Sequence, residues 1–313
     1  MTVLGIDLGG TKLSLAVFSN DGKIVLKRSV GLNGRKGKEV GRLISMEIND
    51  ILSAHDIRSI GIGVPGISRH KTGTVWAPNI PGWDDYPLLQ EVREVNKIIP
   101  VEIDSDRACY ISGELWQGNA QGCKDAIFIA VGTGIGAGIL INGNILRGAH
   151  DISGAIGWLA LDNPFSDKYI SCGCFEYHAS GDGIARMAIE LLIKDKTYSG
   201  DLKKKPAAEI TAHDIFLAHK KDDFIAKAVI QQCIEFWGMA VANLVSIFNP
   251  EKIILGGGVF GPAVQFIPAI RVEALKWAQP ISIQQVKLES SKLGPDAGLY
   301  GAAFLALKQI KSQ

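Results

Sequence analysis

Val3-Leu4-Gly5-Ile6-Asp7-Leu8-Gly9-Gly10-Thr11-Lys12 is the stretch whose reading decides the rest of the chain. Its branched aliphatics suit a buried strand, and the run ends in an acid, two glycines, a hydroxyl and a lysine. Gly9 and Gly10 let the backbone turn sharply, so that its N–H groups can face an anion. Leu13, Leu15 and Val17 then alternate with other residues, and Asn20-Asp21-Gly22 is a hairpin signal before Ile24 and Leu26. The opening reads as strand, glycine loop, strand, tight turn, strand. A Gly-Gly turn between strands also fits an ordinary hairpin, and a second occurrence of the pattern is what separates the two readings.

A similar arrangement returns later. Asp125 to Val131 reads as a strand, Gly132-Thr133-Gly134-Ile135-Gly136 as a glycine loop, Ile139 to Ile141 as a strand, Asn142-Gly143 as a turn and Ile145-Leu146 as the next strand. Gly63 to Gly66 has a later counterpart in Gly256-Gly257-Gly258, which follows the apolar run Ile253-Ile254-Leu255. This is a weak internal duplication, visible in pattern rather than identity. Two glycine loops presented by two similar lobes across a cleft would suit the phosphates of a nucleotide.

Composition sets the bounds. At 313 residues, 47% of them hydrophobic, the chain is long enough for two globular lobes, each with its own core. With 33 basic and 32 acidic residues the net charge is +1, which gives no global field for nucleic acid or a membrane surface. Lys203-Lys204-Lys205 lies beside Asp201 and Pro206 and reads as a solvated loop. No basic region precedes the first apolar run and Asp7 interrupts it, which argues against a secretory signal. The uncharged span Ala126 to Asn144 is broken by glycines and falls short of a membrane helix. Five cysteines, an odd number, point to a reducing compartment without a disulfide framework, and the expected location is the cytoplasm.

Between the glycine loops, Val40, Leu43, Ile44, Ile48 and Leu52 give Gly37 to His55 a helical spacing. Ser59 to Val64 returns to strand character and stops at Pro65-Gly66. Trp76 to Trp83, with two prolines and Gly82, reads as an irregular loop of the kind that carries ligand contacts. Val101 to Ile103 reads as a strand end, and Ser105 is a good N-cap for a helix through about Gln117. The later half reads as helical at Gly183 to Ile193, Ile210 to Ala218 and Phe224 to Phe248. The last is apolar nearly all round and is expected to be a core helix, with Trp237 and Met239 as packing residues. Ala297 to Leu307 reads as a final small-residue helix.

A phosphoryl transfer needs its phosphates held, their charge offset by a metal, and a base at the acceptor hydroxyl. Asp7, Thr11 and Lys12 suit the first two roles, and Thr133 in its glycine loop suits the first. Asp104, after a strand and before a helix, suits the base, although helix capping beside Ser105 is an equally open reading. His55, His70, His213 and His219 carry no supporting pattern and read as surface residues. Cys109, Cys123 and Cys233 read as core or surface thiols.

Together these motifs resemble the ROK (repressor, open reading frame, kinase) sugar kinases of the actin-like ATPase superfamily. The resemblance runs from Ile6 to about Leu307 and rests on the joint order and spacing of seven markers. They are Asp7-Leu-Gly-Gly-Thr-Lys12, Gly63-Val-Pro-Gly66, Ala77-Pro-Asn-Ile-Pro-Gly-Trp83, Gly132-Thr-Gly-Ile-Gly136, Ala179-Ser-Gly181, Leu255-Gly-Gly-Gly-Val259 and Leu293-Gly-Pro-Asp-Ala-Gly298. It implies a two-lobed α/β fold, ribonuclease H-like, with lobes at 1–117 and 118–296 and a C-terminal helix at 297–313 packing back on the first lobe. It implies transfer of the γ-phosphate of ATP, with Mg2+, to a hydroxyl of a hexose or hexose derivative, the primary 6-hydroxyl by analogy, by a homodimer.

Residue by residue, the resemblance sets Gly9, Gly10, Thr11 and Lys12 on the first phosphate segment, with Asp7 near the metal. Gly132, Thr133 and Gly134 fall on the second phosphate segment, and Gly256 and Gly257 border the adenosine. It makes Asp104 the general base, Gly66 and Asn79 sugar-side residues, and Glu176 a carboxylate for ring hydroxyls. Three departures alter the sugar side. Ile103 stands where the family has an asparagine, and Ala155-Ile-Gly-Trp158 replaces Glu-x-Gly-His, which removes a carboxylate and a histidine. Losing three polar partners should move the substrate away from plain glucose, with Ile103 and Trp158 forming an apolar wall. The family's zinc-binding cysteine cluster is contracted to Cys172-Gly173-Cys174, so zinc is not expected unless His178 or His150 completes a variant site. A repressor would need a DNA-binding segment ahead of Asp7, so the rival expectation is a catalytically weak sugar sensor.

Overall fold

The computed structural model describes residues 1–311, so positions 312–313 of the expected closing helix lie outside the described residues. Along the chain run β1 (Thr2–Leu8), β2 (Lys12–Ser19), β3 (Ile24–Gly31), α1 (Lys38–Ala54), β4 (Ile57–Val64), β5 (Ile67–Arg69), β6 (Thr74–Trp76) and α2 (Leu88–Val95). Next come β7 (Val101–Ser105), α3 (Asp106–Gln117), β8 (Ala126–Val131), β9 (Ile135–Ile141) and β10 (Asn144–Ile145). The remainder is α4 (Cys174–Ala179), α5 (Gly181–Lys194), α6 (Ala212–Lys220), α7 (Phe224–Phe248), β11 (Lys252–Gly256), α8 (Ile267–Leu275), α9 (Ser282–Gln285), β12 (Lys287–Ser290) and α10 (Ala297–Lys311).

The chain divides into two compact units. One holds Met1–Lys124, Gly138–Gly154 and the chain from Ser291 onward; the other holds Asp125–Ala137 and Ala155–Ser290. The first carries a five-stranded sheet in the order β3-β2-β1-β4-β7. Its centre is β1, where Val3, Leu4, Ile6 and Leu8 are at most 1% exposed. Burying each such side chain favours the fold by about 1.5–3 kcal/mol. One face is filled by Val40, Ile44 and Ile48 of α1, which is the helical stripe read from the sequence. The other face carries α10, whose Leu299, Ala303 and Ala306 pack with Val3, Ala16 and Phe18.

The second five-stranded sheet has the order β10-β9-β8-β11-β12. Its parallel core pairs β8 with β11 and β11 with β12. Here one expectation is corrected: Ile135 and Gly136 are not loop, because β9 already starts at Ile135. Glycine serves β9 by allowing close approach, since a Cβ on Gly138 would lie 2.0 Å from the Arg107 carbonyl oxygen. Helix α7 is long and apolar enough to cross a membrane by composition, yet 67% of its most apolar window is buried within the protein. It packs against α4, α5 and α8 and is a core helix.

Candidate active site

In the first unit β1, β4 and β7 run parallel, and their register places three residues in one row near the C-terminal strand ends. Asp7 pairs with Gly63, and Gly63 pairs with Asp104. At a strand spacing of about 4.8 Å, the two aspartate backbones stand roughly 10 Å apart. Gly63 keeps the space between them open: a Cβ there would lie 3.1 Å from Cys109 Sγ and 3.7 Å from Asp7 Oδ1. This end of a parallel sheet is where open α/β folds bind ligands.

The first glycine loop leaves β1 directly after Leu8. Gly9 N–H donates to the Lys12 carbonyl at 2.9 Å and Leu32 N–H to the Thr11 carbonyl at 2.8 Å, which fixes the turn. Gly10, Thr11 and Lys12 remain exposed. A Cβ on Gly10 would lie 3.2 Å from that of Asn79, so the loop and the exposed Asn79 are neighbours. Gly66 has φ +94°, and a Cβ there would lie 2.2 Å from the Trp76 carbonyl oxygen, so glycine is needed on both counts. Burial pushes the Asp7 carboxyl up to about 7, with Asp106 and Asp296 adding negative charge and Lys12 opposing them. A hard oxygen donor surrounded by excess negative charge fits a magnesium ion.

Asp104 lies at the end of β7 and is 4% exposed. The open question of its capping role is answered by its neighbour, because Ser105 Oγ accepts the Ala108 N–H at 3.3 Å and is the cap of α3. Asp104 Oδ1 accepts the Ser105 N–H at 2.8 Å. Two side chains unforeseen in the sequence meet its carboxylate. Arg147 Nη2 donates to Oδ2 at 2.5 Å, and His70 Nε2 is 3.5 Å from Oδ1. Burial alone would raise the Asp104 carboxyl, but His70 and Arg147 outweigh it and hold it below the usual carboxylate value. The same contact pushes the His70 ring up against the opposing effect of its burial. His70 is an exposed residue whose ring is nevertheless directed at the buried acid, a partner that its sequence context does not signal. The Nε atoms of Arg147 and Arg107 are buried without a hydrogen-bond partner. Ile103 is 6% exposed beside Asp104, and its carbonyl accepts from Ser68 Oγ at 3.1 Å.

In the second unit, the other glycine loop is braced by its own surroundings. Gly132 N–H donates to the Gly134 carbonyl at 2.9 Å, and Gly181 N–H to the Gly132 carbonyl at 2.7 Å. Thr133 at its tip is exposed. Glu176 Oε2 accepts the Ile135 N–H at 2.6 Å, so this carboxylate supports the loop backbone. Burial raises its carboxyl, opposed by that hydrogen bond. Gly257, at φ +87°, would bring a Cβ to 2.4 Å from the Val131 carbonyl oxygen, and Gly256 would bring one to 2.2 Å from the Phe128 ring. Both glycines therefore allow the chain after β11 to lie on the end of β8. Trp158 is 58% exposed.

The cysteine segment does not fit a structural zinc. Cys172 and Cys174 are free thiols. The His178 ring stacks on Phe236 with centroids 4.5 Å apart and hydrogen-bonds the Tyr169 hydroxyl at 3.0 Å. Burial and the Lys168 charge push this histidine below its ordinary value. Among the described residues no group of three or more His, Cys, Asp or Glu side chains is arranged to hold a metal. His150 is exposed.

The ROK family model matches residues 3–309. A glucokinase of Halalkalibacterium halodurans is 35% identical over 99% of this chain and 96% of that protein. A xylose repressor of Caldicellulosiruptor bescii is 30% identical over 99% of this chain and 79% of its own. Among solved structures, a ROK family glucokinase from Streptomyces griseus in complex with glucose and AMPPNP superposes with a TM-score of 0.82 at 28% identity, covering 98% of this chain and 100% of that one.

Proposed function

The chain belongs to the ROK family and has the α/β actin-like ATPase fold of its relatives, and from that premise we propose that it is an ATP-dependent sugar kinase. The observation that carries the reading is the row Asp7, Gly63, Asp104, with a glycine loop leaving the strand of the first acid. In this reading Gly9 to Lys12 hold phosphate oxygens in the first unit, and Gly132 to Gly134 and Gly256-Gly257 serve the nucleotide in the second. Asp7 would hold magnesium, which offsets phosphate charge when bound. Asp104, buried and ionised, takes the proton of the acceptor hydroxyl, the primary 6-hydroxyl of a hexose derivative. The relatives named above support kinase chemistry, since one is a glucokinase and another is a glucokinase with glucose and AMPPNP bound.

The acceptor we propose carries an apolar substituent, such as an acyl group. The exposed Trp158 offers apolar surface where the family pattern has a histidine, whereas Ile103, expected to share that wall, is 6% exposed and packs in the core of the first unit. Glu176, engaged by the Ile135 amide, would contact ring hydroxyls through its other oxygen. The reading extends to a homodimer, on family resemblance, and to the cytoplasm, which the free thiols favour. The test is a coupled ATP-turnover screen over hexoses, amino sugars, N-acyl sugars, ketoses and cyclitols. Turnover of a substituted hexose above glucose is expected; robust glucose turnover contradicts the altered pocket.

A second reading, a sugar sensor without turnover, is favoured by the likeness to a xylose repressor. Sugar binding by calorimetry without phosphorylation of any acceptor in the screen would select it.

A further inference from the structure

The carboxylate at the end of β7 is gripped from two separate segments. His70 comes from the turn between β5 and β6, and Arg147 from the chain after β10. They reach different oxygens, with Arg147 Nη2 2.5 Å from Oδ2 and His70 Nε2 3.5 Å from Oδ1, while the Ser105 N–H also donates to Oδ1 at 2.8 Å. His70 is itself oriented by acids, since its Nδ1 is 3.8 Å from Glu102 Oε1 and its backbone N–H donates to Asp151 Oδ2 at 3.3 Å. The charge of Asp104 also acts on Cys109 of α3 and Lys308 of α10.

Physical chemistry makes such a grip consequential. A buried aspartate without cationic partners drifts toward its neutral acid, which cannot accept a proton. Its terminal torsion is also soft, so an ungripped carboxylate samples many orientations. A guanidinium on one oxygen and an imidazole near the other counter both tendencies. We propose that Arg147 and His70 are positioning residues for Asp104, keeping its carboxylate ionised and aimed so that it can take the proton of the acceptor hydroxyl. The role rests on the reading of Asp104 as the base. In the step served, the acceptor O–H bond breaks and its proton passes to Asp104. The oxygen's electron pair forms the new bond to the γ-phosphorus, the bond from that phosphorus to the β–γ bridging oxygen breaks, and ADP leaves. The pair stays on the enzyme throughout and neither residue gives or takes a proton in the transfer.

The grip is tested by following the Asp104 carboxyl directly. Protein labelled with 13C at the aspartate carboxyls is titrated by NMR as wild type, Arg147→Met, Arg147→Lys and His70→Gln, with Asp104→Asn used to assign the signal. The expected result is that the signal titrates at higher pH in Arg147→Met and His70→Gln than in wild type, and that Arg147→Lys restores much of the difference. The acid limb of the kcat/KM profile should move the same way, with turnover at neutral pH falling about 100-fold in Arg147→Met through misplacement of the base. An Asp104 titration identical in all these proteins overturns the proposal, and so does a titration that moves while the kinetic limb stays in place. His70 has a side chain 28% exposed, so His70→Gln keeps the test open if Arg147→Met fails to fold. A wild type that phosphorylates no acceptor overturns the kinase reading instead, and the carboxyl titration then still supports or overturns control of Asp104 by the pair.

Discussion

Gly301 of α10 and Cys109 of α3 meet backbone to backbone: a Cβ on Gly301 would lie 1.8 Å from the Cys109 carbonyl oxygen. The same helix is approached by Gly61 of β4, where a Cβ would lie 1.9 Å from the Ala302 carbonyl oxygen, and by Gly113 of α3, at 2.3 Å from that of Ala297. These atoms belong to backbone, so a methyl group cannot be accommodated by a side-chain rotation. Gly301→Ala or Gly61→Ala is expected to cost about 3 kcal/mol, the upper part of the usual range for overpacking. Thermal melts should show a drop of several degrees for either variant. Gly258→Ala, where the added carbon meets nothing within 4 Å, should melt like wild type.

Asp104→Asn removes the proton acceptor with little change of volume. Turnover should fall by about 100- to 10,000-fold, while titration with a fluorescent ATP analogue should give an unchanged affinity. Retained turnover would remove Asp104 from its assigned role.

Trp158→Ala separates recognition from stability. The indole is 58% exposed, so the melting transition should hold to within about 0.5 kcal/mol. If the ring receives the acceptor's apolar substituent, kcat/KM for a substituted hexose should fall about tenfold, with a smaller change for the unsubstituted sugar. Equal losses for both sugars would show that the indole does not discriminate.

Two histidines should bend the stability curve in opposite senses. The His178 ring lies below its ordinary value of 6.5, chiefly through burial, so the unfolded chain binds more protons between the folded and unfolded values. Its contribution is present above 6.5 and is lost as pH falls through the folded value. The His70 ring lies above 6.5 through its contact with Asp104. Its contribution is complete below 6.5 and is lost as pH rises through the folded value. Urea melts across this range should show His178→Phe flattening the acid side and His70→Gln flattening the side above 6.5. Parallel curves for wild type and variants would contradict both assignments.

The local structure that carries the candidate residues is legible because short-range chemistry encodes it. An aliphatic run ending in Asp7-Leu-Gly-Gly specifies a strand and a tight turn within one segment, and a serine ahead of an apolar period specifies the cap that Ser105 makes. Arg147 was not legible, because its meeting with Asp104 spans 43 residues and depends on where the chain travels after β10. His70 sits in a three-residue-strand hairpin without periodicity, so only the placement of β5 beside β7 gives its ring a partner. The start of β9 is obscured for the converse reason: the glycine loop reads through Gly136, whereas the strand already runs from Ile135 and close contact with Arg107 makes glycine at 138 one of its requirements. Glu176 shows the limit of reading a role from residue type, since one of its oxygens is engaged by a backbone amide.

The position of α10 has a consequence for how the molecule is made. The helix that covers β1 and β4 is the last one translated among the described residues, whereas the strands it covers are among the first. A nascent chain therefore displays the glycine-lined face of its first sheet to the ribosome surface and to chaperones until α10 has been made. Any product interrupted before Ala297 carries that face uncovered, and Asp7 without the approach of Gly298. Synthesis of α10, rather than of the acid-bearing strands, is the event that completes the packing of the first sheet.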